Sequence, residues 1–198
     1  MAEAIDILVR EHQRIQQILA SLETFLDEIG TDPETERKWF LDYVYFLREF
    51  VDTCHHGKEE KFLFPKMKSY GFSAEAGPVL AMLSEQGEGR DHLNAMGELC
   101  AKAKGPLSPS ERELVRGHAL GYIIRLRPHM QREEDILFPM ILHSLPEFVL
   151  DEIRRQYAQF ERNELPPGFK EKLQTIAERL VQSHLPNSRG TSRWMGKG

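Results

Sequence analysis

Two stretches of the chain repeat one pattern of residues with metal-binding side chains. The first, CHHGKEEKFLFP, runs from Cys54 to Pro65, and the second, HMQREEDILFP, runs from His129 to Pro139. In each, a histidine precedes a Glu-Glu pair by four and five positions, and Leu-Phe-Pro follows at matching offsets. Residues four apart lie on one face of a helix, so each copy presents an imidazole beside a carboxylate. Two such faces turned toward each other predict a cage for metal ions.

The repeat extends beyond the two motifs. His55 and His129 stand 74 positions apart, and the same period relates Glu11-His12 to Glu85-Gln86. In each half, residue 12 or 86 precedes the motif histidine by 43 positions. The pattern indicates a duplicated helix pair, in which each half contributes one residue and one His-x-x-x-Glu.

The residue types favour iron, zinc or copper, because imidazole nitrogen suits these metals and carboxylate oxygen can bridge two cations. Ferritin-like di-iron sites are richer in carboxylate and use Glu-x-x-His, so this pattern indicates a different class of di-iron bundle. His56 with Glu60 offers a competing choice of residues in the first motif. The second copy has Met130 at the place of His56, which favours His55 with Glu59.

The elements that carry these residues are predicted to be helices throughout. Apolar residues recur at steps of three and four, as in Ile5, Leu8, Ile15 and Leu19, and no strand pattern appears. The predicted helices span residues 3–29, 33–65, 78–104, 110–143, 146–163 and 168–184, with a capping box at Ser110 and Glu113. The fold class predicted is all-α: an up-down-up-down four-helix bundle over residues 1–145. Two extra helices are expected to pack on it over 146–184, followed by a disordered tail over 185–198.

Composition bounds the class of protein. The chain has 198 residues, 40% of them hydrophobic, and a formal net charge of −5. A mildly acidic chain has no general attraction for nucleic acid, and no apolar run is long enough for a transmembrane span. We read no signal peptide, and two cysteines do not make a disulfide framework, so we expect a cytoplasmic protein.

The motifs together resemble the hemerythrin-like family, also called the HHE cation-binding domain, over roughly residues 1–145. The match is closer to the four-His, two-Glu arrangement of bacterial iron–sulfur repair proteins than to the oxygen-carrying hemerythrins. The resemblance implies two non-haem irons bridged by Glu59 and Glu133, with His12, His55 and His129 as terminal ligands.

Gln86 departs from the family pattern. The third helix of the family usually carries Glu-His-x-x-Gly-Arg, whereas this chain has Glu-Gln-Gly-Glu-Gly-Arg from Glu85 to Arg90. Gln86 is placed at the metal site on the apolar side of its helix. The iron beside it is expected to be weakly held, absent, or to keep a water in place of imidazole.

The resemblance implies a protein that binds or reacts with O₂, NO or peroxide. Whether it is an enzyme stays open, and no catalytic residue or protein partner is predicted. Repair of iron–sulfur clusters or a peroxidase-like activity is one alternative. A non-enzymatic oxygen or iron sensor, or an iron-storage module, is the other.

Several further polar residues are expected inside the bundle. Glu23 and His118 fall on inward faces away from the motifs and are predicted to pair there. His92 is expected on a side face of its helix rather than at the metal. Four residues are expected to project toward the interior, with a tyrosine able to donate to an iron-bound ligand: Arg48, Arg90, Tyr122 and Arg125.

Overall fold

The structure is a computed structural model that describes residues 3–73, 76–102 and 104–186. Regular structure in these ranges is entirely helical, which confirms the all-α fold class. The α-helices are α1 Glu3–Glu28, α2 Pro33–Phe46, α3 Phe64–Ser69, α4 Pro78–Ala101, α5 Pro109–Arg132, α6 Phe138–Ser144, α7 Glu147–Asn163 and α8 Phe169–Ser183. Three π-helical segments join them: π1 Leu47–His56, π2 Glu59–Leu63 and π3 Glu133–Leu137.

Four long helices form the bundle. The first is α1 and the third is α4, whereas the second runs from α2 through π1 and π2 to α3, and the fourth runs from α5 through π3 to α6. Each helix packs against the next along the chain, and α5 closes the bundle against α1. The architecture is therefore the predicted hemerythrin-like bundle with additional C-terminal helices.

The apolar core is divided into two clusters along the bundle axis. In α1, Leu8 belongs to one cluster and Ile15 to the other, with the buried His12 between them. In α4, Met82 and Leu93 flank Gln86 in the same way. The bundle thus places a layer of polar side chains between two apolar layers.

Two of the three π-helical segments, π2 and π3, lie in the two repeated motifs. The backbone N–H of Phe64 donates to the carbonyl of Glu59, and that of Phe138 donates to the carbonyl of Glu133, five positions back in each case. A proline follows each phenylalanine. Because proline has no N–H and its ring collides with the carbonyl four positions back, the α-helical hydrogen bonding cannot continue unchanged through this turn. The repeated Leu-Phe-Pro therefore accompanies a repeated widening of the helix.

The helix boundaries correct the prediction in one respect. The capping box of α5 is made by Ser108 and Glu111, not by Ser110 and Glu113. Pro109 decides this, because a residue before proline avoids the α region and proline suits the first helical position. Ser108 accordingly has extended backbone angles (φ −63°, ψ 158°), and its hydroxyl accepts a hydrogen bond from the Glu111 N–H.

The C-terminal helices complete the core. Helix α7 packs against α1 and π2, and α8 packs against α1 and α2. Leu173 and Leu180 of α8 join one apolar cluster, and Ile153 of α7 joins the other. The boundary at 145 stays a prediction, and all but the first two residues of the predicted tail lie outside the described residues. No helix of the described ranges is long and apolar enough to cross a membrane.

Candidate metal centre

All six residues that the sequence placed at a metal site lie in the polar layer. Each is at most 2% exposed, and every bundle helix contributes at least one of them. They are His12 from α1, His55 from π1, Glu59 from π2, Gln86 from α4, His129 from α5 and Glu133 from π3.

In one half of the cluster, two imidazoles meet a carboxylate. The Nε2 atom of His12 lies 3.1 Å from Nε2 of His55 and 3.1 Å from Oε2 of Glu133. The Nε2 atom of His55 also lies 3.8 Å from Oε1 of Glu59. These nitrogens and oxygens converge on one point between three helices.

The other half has one imidazole of the predicted set and an amide. The Nε2 atom of His129 lies 3.2 Å from Oε1 of Glu133. The Gln86 side chain donates from Nε2 to Oε2 of Glu59 at 2.7 Å. Glu59 and Glu133 therefore face both halves, as carboxylates that bridge two cations would.

Carboxylates outside the cluster hold the other ring nitrogen of each predicted histidine ligand. Nδ1 lies 2.7 to 3.0 Å from a glutamate oxygen in all three, which directs Nε2 inward and fixes the ring, as outer carboxylates do in metal sites. The pairs are His12 with Glu134, His55 with Glu11, and His129 with Glu85. Glu11 and Glu85 stand 74 positions apart, so the hydrogen bond between an outer glutamate and a histidine occurs at equivalent places in both halves of the repeat.

Without a bound cation, the surroundings of Glu59 and Glu133 disfavour the ionisation of both carboxylates. Burial and the charge of Glu133 raise the pKa of Glu59 well above 4.5. Burial also acts to raise the pKa of Glu133, but the charges of His129 and His12 outweigh it and lower that pKa well below 4.5. The neighbouring acids in turn raise the pKa of His129 to about 9 despite its burial. A cation between the carboxylates would allow both to be ionised.

Several buried atoms of the cluster have no hydrogen-bond partner within the described ranges, although most buried polar atoms in proteins have one. They are Oε1 of Glu59, both carboxylate oxygens of Glu133, Nε2 of His129 and Oε1 of Gln86. Two sets, His12/His55/Glu133 and Glu59/His129/Glu133, each bring three ligand atoms within 4.8 Å of one another. Imidazole and carboxylate donors in this number fit first-row transition metals, iron among them.

A small cavity adjoins the cluster on the Gln86 side. Its volume is about 10 Å³, close to the space that one water molecule needs, and its lining includes Gln86, His129 and Tyr122. The Tyr122 hydroxyl is buried and unpaired among the described residues. It is therefore able to donate to a small ligand.

The remaining polar predictions had mixed outcomes. The pairing of Glu23 with His118 was wrong, because Arg127 binds Glu23 at 2.5 and 2.7 Å. His118 instead meets His92 at 3.2 Å between their Nδ1 atoms. The inward prediction for Arg125 was also wrong, since this residue is 46% exposed beside Glu88.

Two residues buried near the centre were not among the predicted site residues. His56 is 4% exposed, and Lys58 is fully buried between Glu11 and Glu161 of α7. His56 with Glu60 has the same fourfold spacing as His55 with Glu59, and Met130 at the equivalent place in the second copy favoured His55. The signal available for His56 was its place beside a predicted ligand, whereas nothing in the sequence pointed to the partner of Lys58 on α7.

The fold and the centre define a class: an all-α bundle that holds a carboxylate and histidine metal site between its four helices. A comparison with protein families matches residues 3–141 to the hemerythrin HHE cation-binding domain. The chain belongs to this family, whose members bind non-haem iron.

The chain is also similar to several curated proteins that share a name. Iron–sulfur cluster repair protein YtfE of Escherichia coli O81 (strain ED1a), of E. coli K12 (DH10B) and of Shigella boydii serotype 18 is each 29% identical over 147 residues. The alignments cover 72% of this chain and 66% of each relative. No solved structure matched the chain.

Proposed function

We propose that this protein holds a di-iron centre and binds or reacts with O₂, NO or peroxide. The observation that carries the proposal is the pair of fully buried carboxylates, Glu59 and Glu133, which face each other with imidazoles on both sides. Burying two such groups without a cation costs free energy, so the bundle is built around positive charge.

In this proposal the two irons would be held by the carboxylates of Glu59 and Glu133 and by the imidazoles of His12, His55 and His129. Bound iron would supply redox cycling between two oxidation states and an open position for a small ligand. The protein orients the imidazoles through Glu134, Glu11 and Glu85. The cluster is buried, and the cavity beside it has room for about one water molecule, a size that suits a diatomic ligand or peroxide.

Repair of iron–sulfur clusters is the second candidate, favoured by the printed name of the YtfE relatives. Such a protein would transfer iron to a cluster-free acceptor, whereas a carrier would only bind its ligand reversibly. A peroxidase-like activity, an oxygen or iron sensor, and iron storage use the same centre. The two cysteines are buried and unbonded, which supports placement in the reducing cytoplasm.

The test is metal analysis with an optical spectrum after anaerobic loading with iron(II), on the wild type and His129→Ala. We expect iron in the wild type and a loss of at least half of it in the variant. His118→Ala removes a histidine outside the centre and should change neither measurement. A wild type that retains no iron, or a His129→Ala variant with unchanged iron and spectrum, would refute the proposal.

A further inference from the structure

His56 is a buried imidazole on the side of the centre where the repeat lacks a histidine. It is 4% exposed, and neither of its ring nitrogens has a hydrogen-bond partner in the part of the chain that the structure describes. An imidazole buried in this state loses its hydrogen bonds to water and gains none from the protein. Coordination of a metal ion by His56 would offset this loss of hydrogen bonds.

The orientation of His56 follows that of the predicted ligands. Each of those has Nδ1 toward an outer carboxylate, and Nδ1 of His56 lies 3.6 Å from Oδ1 of Asp52. Asp52 is itself fixed by Arg90, whose Nε donates to the same oxygen at 2.6 Å. Nδ1 of His56 therefore has a carboxylate held on its outer side, which leaves Nε2 for the interior, the arrangement typical of metal-binding histidine.

The distances place His56 within reach of the same ions. A ring nitrogen of His56 lies within 4.8 Å of ligand atoms of both His55 and Glu59. Its ring stands 5.6 Å from that of His129 at an angle of 79°, and the ring of His12 stands 4.8 Å from that of His55 at 61°. Two edge-to-face pairs of imidazoles thus occur, one in each half of the centre.

The π-helical backbone allows neighbouring residues to share the inward face. Adjacent residues of an α-helix are turned by about 100°, which would direct His56 to the side of the bundle. Over Leu47–His56 the hydrogen bonds reach one residue farther, so the helix is wider and successive side chains diverge less. His55 and His56 are both buried as a result.

We propose that His56 is the other imidazole ligand of the iron on the Gln86 side, which His129, Glu59 and Glu133 would also hold, and that it takes the place of a histidine at position 86. This inference rests on the proposed iron centre. Gln86 then serves to position the bridging carboxylate, because it donates a hydrogen bond to Oε2 of Glu59 at 2.7 Å. The centre would hold four imidazoles and two carboxylates, with the fourth imidazole supplied from a different helix.

The test compares four proteins: the wild type, His56→Met, Gln86→His and the double variant. Methionine is chosen because Met130 occupies the equivalent place in the second copy and is buried there. Metal per chain is measured after loading with iron(II), and a cobalt(II) titration followed by absorption reports the ligand field. Circular dichroism and thermal melting of the metal-free proteins show whether the fold is kept.

After iron(II) loading, we expect two metal ions per chain in the wild type and one in His56→Met. In the cobalt(II) titration, the second ion should bind to His56→Met at least about tenfold more weakly than to the wild type. Gln86→His should hold two ions as the wild type does, and the double variant should recover the second ion. His92→Met is the matched control, since His92 lies beside His118 outside the centre, and it should bind two ions.

Two results would overturn the inference alone. One is a wild type and a His56→Met variant that both hold two ions with the same cobalt(II) spectrum. The other is a wild type with one ion that gains a second in Gln86→His, since position 86 would then be where the imidazole is missing. A wild type that takes up no metal would instead refute the iron centre itself, and this inference with it.

Discussion

At the scale of single residues, the centre depends on pairs of charges rather than on isolated ligands. Glu11 reaches across to His55 in the first half, and Glu85 reaches across to His129 in the second. A carboxylate on Nδ1 fixes the tautomer and makes the opposite nitrogen a stronger ligand. The duplication thus repeats the ligand together with the group that orients it.

The carboxylate pair leads to a prediction for the metal-free protein. Because the pKa of Glu59 is raised in the folded state, the native protein keeps a proton that the unfolded chain releases as the pH rises above about 4.5. The contribution of Glu59 to stability therefore falls with rising pH above that value, by up to about 1.4 kcal/mol per pH unit. Glu59→Gln should remove this loss. The free energy of unfolding of the variant, relative to that of the wild type, should therefore increase between about pH 5 and pH 7.

The measurement is urea unfolding in the presence of a chelator at several pH values. Glu60→Gln is the control, because Glu60 is 31% exposed and pairs with Arg90 rather than with Glu133. Iron loading should fall in Glu59→Gln but not in the control. An advantage of Glu59→Gln that shrinks as the pH rises would contradict the prediction.

At the scale of elements, the π-helical segments determine which side chains reach the interior. Both π2 and π3 lie where Leu-Phe-Pro interrupts the α-helical hydrogen bonds, and they begin at Glu59 and Glu133. The fourfold spacing of His55 and Glu59 survives this widening, since both are fully buried. The inward direction of His56 depends on the widening and is not visible in an α-helical projection.

One buried lysine links α7 to the bundle by ion pairs, in addition to the apolar packing of this helix. Lys58 is fully buried and pairs with Glu11 and with Glu161 of α7, the latter at 2.6 Å. Glu11 also holds His55, and although burial acts to raise its pKa, His55 and Lys58 outweigh that and lower it to about 2. Helix α7 is therefore linked to the metal centre through three charged side chains, Glu161, Lys58 and Glu11.

Replacement of this lysine should be strongly destabilising. Lys58→Met leaves two carboxylates near each other without their cation, and we expect a loss of about 3–5 kcal/mol in the free energy of unfolding. Lys61→Met removes an ion pair with Glu164 in which both side chains are 49% exposed, and we expect a loss below about 1 kcal/mol. Urea denaturation of both variants measures the difference. Equal losses would show that the buried pairs contribute no more than the exposed one.

At the scale of the whole molecule, the proposed metal ions connect all four bundle helices. Every helix supplies at least one residue of the centre, and the centre separates the two apolar clusters. An ion that binds only the folded chain stabilises it by mass action. The ligands must also be deprotonated, so affinity should fall in acid.

Metal removal should therefore lower the stability of the entire domain. At free metal about 100 times the dissociation constant, the difference is about 2.7 kcal/mol, which appears as a lower melting temperature after chelation. Calorimetry of the loaded and chelated protein measures this effect. His129→Ala should show a much smaller shift, and an equal shift in that variant would place the stabilising metal elsewhere.

The sequence by itself determined the helical class and the inward position of the residues in the repeated pattern, because those follow from local spacing. The repeat at 74 positions aligned His55 with His129 and exposed Gln86, and the residues of this pattern are indeed buried together. The prediction for α5 failed by two residues at its cap, where Pro109 imposed the local geometry on Ser108.

Only the tertiary structure decided which side chains meet across helices. Glu23 pairs with Arg127 rather than with His118, and Lys58 pairs with Glu161. These ion pairs depend on how the helices are rotated and on which helices are neighbours. The apolar period of a sequence describes one helix at a time, so it predicts neither the rotation of a helix nor its neighbours. It also assumes an α-helix, and His56 reaches the centre because the backbone there is wider.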